Sequence, residues 1–286
     1  AGYVTGASFV LGISAWYLLK GRDVALAKRS FHVAAAFGVA AICSAIVLGD
    51  ESGYSIGQAQ QTKLATMEAM WETEPAPAGF NLIADINEAE QKNNWSLHIP
   101  YVMGVIGTRS IDTEILGIQD IKKLNADRII NGVTALMRQN KLNGIKNPQA
   151  LIDIFEEHKK DLGFGLLLKK YTDDMAKITP QMLSKAVDDS IPRVTPMFWS
   201  FRLMVGMGVL MLILYGLCLF FSLKGSFIHK PWLLKFAMIM IPAPWIAIEA
   251  GWFVAEYGRQ PWTVYGILPT HLSVSNIDAG QVILSL

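Results

Sequence analysis

Residues 203–223, "LMVGMGVLMLILYGLCLFFSL", contain no Asp, Glu, Lys or Arg. Twenty or so apolar residues rising 1.5 Å each cross a hydrocarbon layer about 30 Å thick, so this stretch reads as a transmembrane helix. Two more stretches are equally free of charge, 3–19 ("YVTGASFVLGISAWYLL") and 31–49 ("FHVAAAFGVAAICSAIVLG"). A fourth, 236–255 ("FAMIMIPAPWIAIEAGWFVA"), is clean except for Glu249. Four such segments in one chain of 286 residues, 52% of them apolar, would need an unusually large core if they were soluble. The expected fold is therefore all-α: a polytopic transmembrane helix bundle with a long, mainly helical loop.

Loop charge sets the orientation. The short connections "KGRDVALAKRS" (20–30) and "KGSFIHKPWLLK" (224–235) are rich in Lys and Arg and are placed in the cytoplasm. The long segment then lies outside. The expected divisions are two spans in 1–49, an external loop over 50–195, two spans in 196–256, and an external segment opening a further apolar helix in 257–286. The start at Ala1 and the apolar "QVILSL" end read as an internal fragment of a larger membrane protein. Cys43 and Cys218 both fall in apolar segments, so no disulfide framework is implied.

The long loop breaks at "TEPAPAG" (73–79) and continues in helical patterns over 112–140 and 147–171. Most of 80–185 reads as a solvated helical face. Its charges are mixed, the chain's net charge is +1, and no nucleic-acid partner is expected. No GxxxxGK[ST], CxxC or HExxH occurs, which removes nucleotide, zinc-finger and zincin readings.

Ionisable groups inside a span are costly and usually functional. Glu249 and Glu256 are seven residues apart, on one helix face about 10 Å from each other. Glu249 is the deeper, and a proton path or a buried pair is expected there. Glu256 and Arg259, at the outer end, suit either a functional pair or an interfacial one, with Trp252, Tyr257 and Trp262 as an aromatic belt. Arg202 and Met204 enter the 203–223 run from the same side. A Met there is ordinary core filler, or a thioether ligand of heme iron beside an arginine. His32 and His229 fall on the cytoplasmic side and His98, His158 and His271 in the external part, so an axial His would come from other chain. In "LGDESGYSIGQAQQTKLATMEAMWE" (48–72), Asp50, Glu51, Lys63 and Glu68 suit either a solvated amphipathic helix or acid–base work on a lipid-borne substrate.

Together "GWFVAEYGRQPW", "FRLM" and "VLGDESGY…QTKLATMEAMWE" closely resemble subunit I of the cytochrome bd quinol oxidases, in the branch with the long quinol loop. The resemblance extends over the whole chain, through "GYVTGASFVLGISAWYLLKGRD" and "KDLGFGLLLKKYT…DSIPRV". It implies a terminal respiratory oxidase of the bacterial inner membrane that oxidises ubiquinol or menaquinol outside and reduces O2 to water. It further implies low-spin heme b, high-spin heme b and heme d, a second subunit, and small accessory subunits. By the same resemblance, Met204 matches the low-spin heme ligand, with Arg202 beside it. Glu256 matches the high-spin heme ligand, with Trp252 and Arg259 as neighbours. Lys63 and Glu68 match the pair tied to quinol oxidation, and Asp50 and Glu51 the acidic start of the loop. The resemblance leaves Glu249 without a role. Two rivals stand beside this reading, an ion or solute transporter using intramembrane glutamates and a catalytically silent membrane scaffold.

Overall fold

The computed structural model describes residues 1–104, 107, 109, 110, 112–142, 149–275 and 277–285. Four long apolar helical units form the bundle. They are α1 (Gly2–Lys20), α2 (Val24–Ala59), α8 (Val194–Leu223) and the joined pair α9 (Pro231–Ile239) and α10 (Ala243–Tyr257). The last unit is one apolar span interrupted where Pro242 supplies no backbone N–H, so the helix ends and restarts within three residues. α1 packs on α2 and α9, α2 on α8, and α8 on α10.

Small residues set these approaches. A Cβ at Gly38 of α2 would fall 2.5 Å from the Tyr215 ring on α8, so the ring lies directly on the glycine. Tyr215 is fully buried, and its hydroxyl donates to the Val4 carbonyl at 2.9 Å and shares a 2.5 Å hydrogen bond with Ser8. A polar group without water must be satisfied by protein, and this one is. Outward-facing Phe9, Val33, Phe37, Val209, Ile213 and Ile239 are exposed, as helices bathed in lipid require.

The segment between α2 and α8 folds over one end of the bundle. α2 continues past the apolar run to Ala59, 36 residues in all. At Gln60 the backbone turns extended (φ −140°, ψ 70°) and the short helix α3 (Gln61–Glu68) doubles back. A hairpin follows, β1 (Phe80–Asn87) paired antiparallel with β2 (Lys92–Ile99). This corrects the expectation of a mainly helical stretch from residue 80. Nearly all of β2 is exposed, so it carries no one-sided alternation of apolar residues for a sequence reading to find.

Beyond it come α4 (Ile118–Leu142), α5 (Gln149–His158), α6 (Leu162–Leu166) and α7 (Pro180–Asp189). The helix expected over 147–171 is divided by 3₁₀ turns at Lys159–Asp161 and Leu167–Lys170, and residues 147 and 148 lie outside the described residues. After α10, β3 (Trp262–Val264) pairs with β4 (Leu268–Pro269), and α11 spans Ala279–Ser285. The architecture is an all-α membrane bundle with two small hairpins on its loop-side end.

The loop helices have their own core of Ile129, Val133, Leu136, Phe164, Leu167 and Leu168. Gly132 of α4 and Gly165 of α6 bring their backbones together, since a Cβ on either would fall 2.4 Å or less from the other helix. Trp262, just past α10, inserts into this core at 2% exposure and meets Phe164 edge-on at 4.9 Å between ring centroids. The indole thereby helps pin the membrane end of the chain to the loop domain, together with Tyr265 and the close approach of Gly163 to the Gly266 backbone.

Candidate site at the loop-side end of the bundle

Seven of the eight residues of α3 are buried, Lys63 and Glu68 among them, which rules out a solvated amphipathic helix. Residues five apart on a helix point about 140° away from each other. One therefore faces α10 and the other faces α8.

Glu68 faces α8. Its carboxylate takes two hydrogen bonds from Arg202, Nη2 to Oε2 at 2.7 Å and Nη1 to Oε1 at 3.3 Å. Arg202 side-chain exposure is 9% and that of Glu68 is 2%, so the pair is dry. The forked guanidinium matches a carboxylate edge to edge, the geometry that gives such pairs direction. Its remaining donors reach the carbonyls of Met67, Asn81 and Leu82. The rings of Phe198 and Phe80 lie 4.2 and 4.4 Å from its central carbon. Burial pushes the Glu68 carboxyl above the usual carboxylate range; Arg202 pulls the other way and Glu74 adds to the rise. A carboxyl so placed can take up and release a proton closer to neutral pH.

Lys63 faces α10, where Nζ donates to the Ala255 carbonyl at 3.1 Å. Burial lowers its pKa, Arg259 lowers it further and Glu256 opposes both. The ammonium sits where the last carbonyls of α10 would otherwise lack donors. Glu256 and Arg259 form an ion pair one turn apart, half in contact with solvent, while Arg259 Nε is enclosed without a hydrogen-bond partner.

Met204 lies two residues beyond Arg202, half-buried against α10; a Cβ on Gly251 would fall 2.9 Å from its sulfur. On α10, Trp245, Glu249, Trp252 and Glu256 recur at helical spacing along one face, and Trp252 is 64% exposed. Glu249 is exposed on that face and, among the described residues, has no hydrogen-bond or ion-pair partner. Asp50 and Glu51 stand apart from the α3 site, exposed and paired with Arg109 at 3.0 and 2.7 Å.

The structure thus regroups the residues singled out in the sequence. Glu68 joins Arg202, Lys63 joins the end of α10 with Glu256 and Arg259, and Lys63 and Glu68 do not pair with each other. Asn81, which bonds the Glu68 carbonyl at 3.0 Å and receives Arg202 on its own, carried no sequence signal. Arg109 and Trp262 were missed as anchors, although Trp262 stood in a quoted motif.

The donor set suits heme. Met204 offers a thioether of the kind that ligates heme iron and Glu256 a carboxylate, Arg202 and Arg259 lie two and three residues from them, and the uncovered α10 face is aromatic and apolar between its acids. Among the described residues, the enclosed Arg259 Nε is a donor with no protein acceptor.

Four spans capped by a dry acid–guanidinium pair define an integral membrane protein with a site at one membrane face. The chain belongs to the cytochrome bd terminal oxidase subunit I family, whose sequence model matches residues 1–286. It is 43% identical over 287 residues to the Cytochrome bd-II ubiquinol oxidase subunit 1 of Escherichia coli (strain K12), covering 100% of this chain and 56% of that protein. It is 28% identical over 283 residues to the Cytochrome bd ubiquinol oxidase subunit 1 of Bacillus subtilis (strain 168), covering 99% of this chain and 48% of the other. A Putative cytochrome bd menaquinol oxidase subunit I of Bacillus subtilis (strain 168) is 25% identical over 278 residues, 94% of this chain and 46% of that one. The chain spans about half the length of the curated relatives it matches.

Proposed function

We propose that this chain is part of the heme-bearing subunit of a quinol:O2 oxidoreductase in a bacterial inner membrane, with the 50–195 loop on the outer face. The observation that carries it is the buried Glu68–Arg202 pair, which ties the loop to α8 two residues ahead of Met204. Proton acceptance and cofactor binding then meet at one place. Met204 would hold a low-spin heme b, with Arg202 alongside, and Glu256 would hold a high-spin heme b, with Trp252 and Arg259 as neighbours. Heme d completes the set. When bound, the hemes supply one-electron transfer from quinol and the reduction of O2. The protein's part is to position the quinol ring beside Glu68, accept a proton there, and keep water from the pair. Lys63 fixes the end of α10 against α3, and Asp50 and Glu51 anchor the loop through Arg109. Ubiquinol or menaquinol, O2, a second subunit and small accessory subunits are the partners of this reading. The family match, to a terminal oxidase subunit over residues 1–286, favours this reading over an ion or solute transporter using Glu249 and Glu256.

The test is a reduced-minus-oxidised spectrum of membranes bearing the complete oxidase, with Met204→Leu beside wild type. Leucine keeps the apolar volume and removes the thioether, so the low-spin b band should vanish while the other heme bands remain. An unchanged spectrum would reduce Met204 to a packing residue.

The raised pKa of Glu68 has a pH consequence. Only the ionised carboxylate accepts a proton, so kcat/KM for quinol should fall as pH drops through a midpoint above the usual carboxylate range. Glu68→Gln should abolish that acid limb along with most of the turnover. A wild-type profile flat down to pH ~4.3, the ordinary Glu value, would remove Glu68 from the role.

A further inference from the structure

Glu68 is 1% exposed, so a proton taken up there has no direct way to bulk water. Arg202 cannot carry it, because a guanidinium does not deprotonate in proteins. The start of β1 covers the pair on the loop side, and two further titratable side chains gather around it. Glu74 Oε2 accepts from the Gly79 N–H at 3.0 Å. The imidazole of His98 presses against the same glycine so closely that a Cβ there would fall 1.9 Å from Nε2. His98 Nδ1 shares a 3.2 Å hydrogen bond with Asn81 Oδ1, and Asn81 Nδ2 donates to the Glu68 carbonyl. Glu74 and His98 thus both lie against Gly79, the imidazole on the space that only a residue without a side chain leaves open. Glu74 is partly buried and His98 exposed, so the order Glu68, Glu74, His98 runs from the dry pair to solvent.

We infer that Glu74 and His98 form the proton exit of the Glu68 site. The O–H bond on Glu68 breaks and one forms on the Glu74 carboxylate, directly or through one water. The Glu74 O–H then breaks as an N–H forms on His98 Nε2, and an imidazolium N–H breaks in turn as the proton passes to bulk water. No electrons move in these steps. The inference rests on the proposed quinol oxidation, which loads Glu68 with the proton in the first place.

The experiment uses the complete oxidase with Glu74→Gln, His98→Gln and the double variant, all near-isosteric. Turnover is followed with quinol and with a hydrophilic one-electron donor that releases no proton, each with and without added imidazole. The double variant should lose roughly a hundredfold in kcat with quinol, the lower end of what a positioned acid–base group supplies. KM and turnover with the one-electron donor should hold, and free imidazole should restore part of the quinol rate. Wild-type quinol kcat in the double variant overturns the inference alone. So does an equal loss with both donors, or a loss that imidazole leaves untouched, because each marks a structural effect. Absence of quinol turnover in the wild-type enzyme overturns the proposed function and this inference with it.

Discussion

Replacing Arg202 by methionine should destabilise the junction between loop and bundle by about 3–5 kcal/mol and abolish quinol turnover. The size follows from what is left behind. Glu68 would keep its burial and lose both guanidinium bonds, and the carbonyls of Met67, Asn81 and Leu82 would lose a donor. Removing both charges is a different change: in Arg202→Met with Glu68→Met, no uncompensated charge stays in the dry site. The double variant should therefore be more stable than Arg202→Met alone, although equally inactive with quinol. Thermal denaturation of the two single variants and the double one completes the cycle. If the single costs were simply additive, the pair would not be the coupled, buried unit described here.

The second large effect belongs to Trp262. Trp262→Ala should cost the loop domain about 3–5 kcal/mol, the range for emptying a buried aromatic site. The indole fills space between Phe164 and Tyr265, with ring centroids at 4.9 and 6.0 Å, and of the 257–275 stretch it is the buried member of that core, with Tyr265 packed partly exposed beside it. Amide hydrogen exchange should quicken across α4, α6 and α7 while α1, α2 and α8 keep their protection. Unchanged exchange in α6 would show that the loop core stands without its membrane-side anchor. Trp262→Phe, which keeps an aromatic ring, should recover most of the loss.

The spans were legible in the sequence because hydrocarbon imposes a simple condition, about twenty residues without charge, and four segments met it. The interruption at Pro242 was written there too, although a window average over 236–255 hides it. The hairpin was not legible. β2 is exposed over nearly its whole length and β1 buries only Asn81 and Ala84, three residues apart, so the period-2 signal that burial creates is absent. At the site, residue types were visible one by one, and the resemblance gave them roles. Their grouping was not visible, because Glu68 and Arg202 are 134 residues apart and meet only through the reversal at Gln60. The same reversal decides that Lys63 serves α10. Asn81 and His98 carried no signal, since their importance comes from which backbone they lie against.

The uninterrupted length of α2 makes it a lever. Its 36 residues run about 54 Å, against a hydrocarbon layer of about 30 Å, so a substantial arm stands clear of the lipid. A change of tilt of about 10° sweeps the far tip roughly 9 Å sideways, and tilts of that order are how spans adjust to bilayer thickness. α3 starts one residue beyond the arm yet is fastened to α8 by Glu68 and to α10 by Lys63. Gln60 is accordingly the joint between a long helix set by the bilayer and a short one held fast by the loop-side contacts.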